Sequence, residues 1–201
     1  IGLIEDLSKI ATLKGAKAGD GLHRLGGKAG HLGASLYARV ALGLDGAAAG
    51  AAPEVNLESE MKRAKLVREL VQAGLLSAAH DVSEGGALCA AAELALSSGV
   101  GVMLKPHAFD TLGEAFGEDQ GHYLLAIPDE NFDAVRKLAS RAGYTLGFMG
   151  TFGGDEIRAS EMVHRDGGSN PPEERTAFAV PLATLRAAHE GWLPGYMRGD
   201  A

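Results

Sequence analysis

Seven successive residues, His80-Asp81-Val82-Ser83-Glu84-Gly85-Gly86, set an imidazole, two carboxylates, a hydroxyl and a glycine pair directly before an apolar run, within SAAHDVSEGGALCAAAELAL at 77–96. Three chemistries could use such residues. A hydrolytic triad needs His80 to take a proton from Ser83 while Asp81 orients the imidazole. In an extended chain neighbouring side chains point to opposite faces, so His80 and Asp81 diverge and His80 is badly placed for Ser83. The stretch also lacks the G-x-S-x-G elbow that exposes a serine nucleophile. A metal site needs more ligands at short helical spacing. The other histidines, at 23, 31, 107, 122, 164 and 189, form no H-x-x-x-H or H-E-x-x-H pair. The third chemistry is anion binding. Ser83 is a good N-cap type, and Gly85 and Gly86 lack the Cβ atoms that would keep a phosphate from a helix's first amides. A glycine pair before a helix serves tight packing equally well, and spacing alone leaves those two uses open.

The surrounding pattern supplies the elements that must hold this turn. Leu75–Ala79 reads as a buried strand leading in, and Gly86–Leu96 as a helix apolar almost all round. Upstream, the first thirty residues suggest one or two short strands, and a short helix starts near Gly33. The Ala/Gly stretch at 46–52, ending at Pro53, reads as a mobile loop. Asn56 caps a helix over 57–73, with Glu58 and Glu60 in its first turn, where the helix dipole favours negative charge. Downstream come strands at Val100–Leu104 and His122–Ile127, with a short helical piece to Phe116 between them. An amphipathic helix at Phe132–Ala142 and strands at Tyr144–Phe152 and Ile157–Ala159 follow. The polar run RDGGSNPPEER reads as a loop or hairpin tip, and a final helix covers Ala183–His189. From residue 75 the order is β-α-β-β-α-β, the split pattern of ferredoxin-like sheets, so the expected class is α+β with helices layered on a mixed sheet.

Composition narrows the function classes. With 46% hydrophobic and 22% charged residues among 201, the chain can bury one domain-sized core. A formal charge of −7 argues against a general nucleic-acid binder, although Lys9, Lys14, Lys17, Arg24 and Lys28 crowd the first thirty residues. The single Cys89 cannot form an internal disulfide, which points to a reducing cytoplasm, and no apolar run is long enough for a membrane span. The first residues, IGLIEDL, read as the inside of a longer protein.

Several stretches, in matching order, resemble one family. AHDVSEGGALCAAAELAL is similar to the HDVSDGGL…AEMA segment of the synthetase subunit of phosphoribosylformylglycinamidine synthases, PurL, in the aminoimidazole-ribonucleotide-synthetase-like superfamily. IGLIEDLSK resembles the family's strand leaving the preceding domain. GDGLHRLGG…HLGASLY resembles GD-x-I-x-L-L-G…LGGSEY, and VNLESE resembles VDL-x-x-E. AFGEDQGHYLLAIP resembles LFGESQGR-x-x-V-x-V, and LPGYM the usual chain end. His23 and Arg24 depart from the apolar or aromatic residues the family prefers, and the insert at 46–52 is not a family feature.

The resemblance implies the last of four domains in a doubled superfamily unit, with a C-terminal α/β domain over 31–201 and entering strands from the preceding domain over 1–30. It implies an enzyme that uses ATP, Mg2+ and ammonia to convert formylglycinamide ribonucleotide into the amidine, with ammonia supplied by a glutaminase partner and, in short-form enzymes, a small accessory subunit present. The catalytic histidines, main magnesium ligands and most ATP contacts would lie on the other domains, leaving this chain inactive alone. In the first copy, positions matching His80 and Glu118–Gln120 contact substrate. Here His80 replaces a glutamine and Asp119 a serine, so His80, Asp81, Glu118, Asp119 and Gln120 are expected to edge a pseudo-substrate pocket. Ser83, Gly85 and Gly86 would present free amides to a nucleotide phosphate there. The alternatives are a non-catalytic nucleotide-binding or structural module, or a domain of another superfamily member such as aminoimidazole ribonucleotide synthetase, thiamine-phosphate kinase or selenophosphate synthetase.

Overall fold

A computed structural model describes residues 3–4, 6–27, 30–163 and 171–198. Lys28 of the basic segment, the first two residues and Glu5 of the opening strand, and 165–170 of the polar run lie outside the described residues. Seven strands form one sheet: β1 (Gly21–Leu25), β2 (Ala78–Asp81), β3 (Val102–Leu104), β4 (Tyr123–Ile127), β5 (Leu146–Phe152), β6 (Glu156–Val163) and β7 (Glu173–Pro181). Their order is β2-β4-β1-β5-β3-β6-β7. Neighbours are antiparallel except β3 and β6, so the sheet is mixed. The class is α+β, and residues 78–152 carry the expected β-α-β-β-α-β succession.

Helices cover both faces. Alternation along each strand sends one set of side chains to each side. Leu22, Leu124, Ala126, Val102 and Leu104 pack against α3 (Gly86–Ser98) and the start of α6 (Leu182–Arg198). Leu25, Leu125 and Ile127 pack against Leu66 and Leu70 of α2 (Leu57–Gln72) and Val135 and Ala139 of α5 (Phe132–Arg141). Helix α3 sits over the sheet with Ala90, Ala91, Leu94 and Ala95 buried, which explains its apolar composition. Two short helices, α1 (Leu36–Val40) and α4 (Leu112–Phe116), lie beside its N-terminal end and are joined by the stacked rings of Tyr37 and Phe116.

Local signals explain most boundaries. Asn56 accepts the Ser59 amide at 2.9 Å and starts α2, and Gly74, at φ +66°, turns the chain after it. The strand expected from Leu75 begins three residues later. Leu75 still donates to the Leu70 carbonyl and accepts from Asn131, so 75–77 complete the exit from α2. Strand β7 has no counterpart in the sequence reading. Its residues are almost all exposed on the sheet's edge, so no buried alternation marks it, and Glu173–Arg175 of the polar run belong to it. The run at 46–52 contains a 3-10 turn at Gly46–Ala49 and is held by one backbone bond, from the Ala34 amide to the Ala49 carbonyl.

Candidate functional site

The polar turn lies where β2 runs into α3. Asp81 pairs with Tyr123 across the antiparallel ladder, and the Val82 amide donates to the His122 carbonyl. The chain therefore leaves β2 beside the segment 117–122, and the two stretches form the walls of a cleft of about 360 Å³. Asp81, Ser83, Glu84, Glu118, Gln120 and His122 line it, with Ala52 and Pro53 at the rim. A second hollow of about 470 Å³ continues from it and shares Pro53, Glu60, Gln120 and His122.

His80 takes no part in that cleft. Its ring turns away from the cleft and is bracketed by Glu93 Oε2, 2.7 Å from Nε2, and Asp81 Oδ1, 3.3 Å from Nδ1, so the expected divergence of His80 and Asp81 does not extend to their side-chain tips. It borders a separate hollow with Lys14, Glu93 and Arg186. Ser83 is exposed and does not cap α3. The N-cap is Gly85, at φ +79°, which has no side chain to offer.

The turn's amides are already partnered. Gly86 donates to the Ser83 carbonyl at 3.1 Å, and Gly85 donates to Glu118 Oε1 at 2.9 Å. The same Glu118 oxygen accepts the Leu36 amide at 2.7 Å. Glu118 therefore caps α3 from 33 positions away and ties it to the start of α1. Its neighbour Asp119 does likewise for the preceding loop, accepting the amides of Gly30 and His31 at 2.8 and 2.9 Å. Burial pushes the Asp119 carboxyl up, but these two amides, with His122 and His31 nearby, together hold the group below its usual range. The glycines serve packing. A Cβ on Gly86 would stand 2.6 Å from the Phe116 Cα, and one on Gly85 2.6 Å from Cys89 Sγ. Where free amides were expected at Gly85 and Gly86, both donors are thus spent on the chain itself.

The electrostatics agree. Glu60, Asp81, Glu84 and Glu118 all border the cleft, and no lysine or arginine is among its lining residues. Burial raises the Tyr123 hydroxyl, and the nearby Glu60 and Asp81 raise it further. Burial also raises the Cys89 thiol, with Glu93 and Glu118 adding to it. The back wall is His122, 4% exposed, whose Nδ1 has no partner among the described residues. Burial lowers its basicity, with Arg63 acting in the same direction, so the ring is held neutral. Glu60, Arg63, His122 and Tyr123 were not singled out from sequence. His122 and Tyr123 lie within AFGEDQGHYLLAIP and Glu60 ends VNLESE, stretches that could have drawn attention to them, whereas Arg63 lies in neither. No group of three or more His, Cys, Asp or Glu side chains that could hold a metal ion occurs among the described residues, and no helix there is long and apolar enough to cross a membrane.

Residues 17–160 match the family described as AIR synthase related protein, C-terminal domain. A phosphoribosylformylglycinamidine synthase subunit PurL from Caulobacter vibrioides is 40% identical over 199 residues, which cover 98% of this chain and 24% of that protein. The chain thus spans about a quarter of the length of the curated relatives it matches. Among solved structures, Thermotoga maritima PurL complexed with FGAR superposes with a TM-score of 0.66 at 16% identity, over 89% of this chain and 30% of that one. The same protein complexed with ATP gives 0.64 at 15% identity, over 89% and 27%, and the PurLQS structure from the same organism 0.62 at 15%, over 89% and 28%. These superpositions establish a shared fold.

Proposed function

Because this chain belongs to the C-terminal domain family of AIR synthase related proteins, we propose that it is the C-terminal domain of a PurL-type synthetase. In that reading the whole enzyme is an ATP-dependent ligase that converts formylglycinamide ribonucleotide and ammonia into the amidine in purine biosynthesis. The observation that carries the reading is similarity over 98% of this chain to a protein four times its length. Residues 1–30 would enter from the preceding domain, and β1, seated between β4 and β5, would carry that connection into the sheet. Partners would be the preceding domains of the same polypeptide, a glutaminase subunit and a small accessory subunit, as the PurLQS assembly suggests by analogy.

ATP with Mg2+ would supply the activating phosphoryl group in the whole enzyme. The residues of this cleft do not fit a bare phosphate, since Gly85 and Gly86 have their donors engaged and four carboxylates stand around the opening. They fit a ligand that brings hydrogen-bond donors, such as ribose hydroxyls facing Asp81 and Gln120. The chain's own part is to hold shape: Glu118 and Asp119 fix the loops, and no side chain here is assigned a proton transfer. The same internal bonding favours the reading of a structural module that braces the synthetase without turning over ligand itself.

The test is a chimera in which this chain replaces the corresponding quarter of the Caulobacter vibrioides protein. Ammonia-dependent amidine formation should return in the chimera and be absent with this chain alone. Turnover by the chain alone, or full activity of the relative after deletion of that quarter, would refute the proposal.

A further inference from the structure

Helix α3 begins without a cap of its own. Its N-cap is a glycine and its first turn holds no acidic residue, so no side chain of its own turn caps this 13-residue helix. One oxygen from another part of the chain meets it instead. Glu118 Oε1 accepts the Gly85 amide at 2.9 Å and the Leu36 amide at 2.7 Å. Two converging amides on one anionic oxygen is how a backbone cradle holds a phosphate or carboxylate oxygen. Of the three groups in this cradle only Glu118 lines the cleft, so its carboxylate stands between the two amides and the opening, where Asp81 and Glu84 would repel an arriving anion.

We infer that Glu118 is a resident anion that closes this cradle against phosphate and at the same time latches the start of α1 to the start of α3. Any phosphate-bearing ligand must displace it. Displacement frees the Leu36 amide and loosens the start of α1, while Asp119, the Ala34–Ala49 backbone bond, the His31 ring against the Ala51 carbonyl and the Tyr37–Phe116 ring stack still hold the loop. The cleft in its present form is therefore shut to bare phosphate by its own chain. This inference concerns two amides and one carboxylate, and it does not require the PurL reading to be right.

The variants are Glu118→Ala, which empties the cradle, and Glu118→Gln, which keeps an acceptor oxygen and removes the charge. Amide NMR of Gly85 and Leu36 in the full 201-residue chain reads out each, during separate titrations with formate and inorganic phosphate. Both amides of the wild type should stay in place. In Glu118→Ala both should shift on loss of the carboxylate and move back, saturably, as formate or phosphate is added. Hydrogen exchange at Leu36 should quicken about tenfold or more in that variant, as expected for loss of a charge-assisted bond, and slow again with formate. Glu118→Gln should keep the fold if the alanine variant does not, with faster exchange at both amides and weaker protection than wild type. Phosphate shifting the wild-type amides as strongly as those of the alanine variant would overturn the plug. So would Leu36 and Gly85 amides that keep wild-type exchange in both variants, or an alanine variant that folds but responds to neither anion.

Discussion

The edge of the sheet and its middle treat polar groups in opposite ways. At the edge, Glu118 and Asp119 are half-buried carboxylates, and together they accept four backbone amides, those of Gly30, His31, Leu36 and Gly85. In the middle, His23 of β1 is buried between Phe132 and Phe148, with ring centroids 5.0 and 5.3 Å away and no partner for Nδ1. Burial pushes its pKa down to about 4. Charge persists where backbone donors converge on it, and where none converge the group is held neutral at a cost in free energy. A polar residue in a motif is therefore no guide to ligand binding until its internal partners are counted.

The comparison breaks most severely at the glycine that lets the edge assemble. Gly86→Val forces a branched side chain into the backbone of Phe116, at a residue with φ +75°, where L residues are strained. Overpacking and left-handed strain together should remove roughly 3 kcal/mol or more, so the variant should show a large loss of thermal stability or fail to fold. Such a variant therefore reports on packing of α3 against α4, and a stability within about 0.5 kcal/mol of wild type would mean that this close approach is wrong.

A smaller, opposite effect is expected in the middle of the sheet. His23→Phe removes a buried polar atom with no partner and keeps a ring between two rings, so stability near neutral pH should rise by about 1 kcal/mol. The pH dependence sharpens the contrast. With the folded pKa near 4 and the ordinary histidine value of 6.5 in the unfolded chain, the unfolded chain binds the extra proton between those pH values. The contribution of neutral His23 is complete above about 6.5 and is lost as the pH falls toward 4. Thermal melts at pH 7, 6, 5 and 4 should diverge, with wild type falling faster than His23→Phe. Parallel melts across that window would show that His23 is not held neutral by burial.

Most helices were legible in the sequence because their signals are local. Asn56 with Glu58 and Glu60 announced α2, and the apolar face of Phe132, Val135 and Leu138 announced α5. The strands at the sheet's two extremes of environment were harder. Strand β1, GLHRL, lies at the centre yet carries His23 and Arg24, and β7 carries Glu173, Glu174 and Arg175 on an exposed edge. Neither shows a clean period of two. The turn at 80–86 was recognisable as a helix start with two glycines. What fills it was not, because Glu118 meets Gly85 only after the chain has built β3, α4 and the return toward β4. Long-range partners of this kind leave no spacing to read.

The turn's leading amide, that of Gly85, is already engaged by the chain itself. Site-resolved hydrogen exchange of the wild-type protein tests it without any ligand. Gly85 and Leu36 should exchange about a hundredfold more slowly than an unprotected amide, tracking Gly30 and His31, which Asp119 holds in the same manner. Exchange at Gly85 and Leu36 at the rate of an unprotected amide, with Gly30 and His31 still protected, would contradict the account and return the turn to the status of an open anion site.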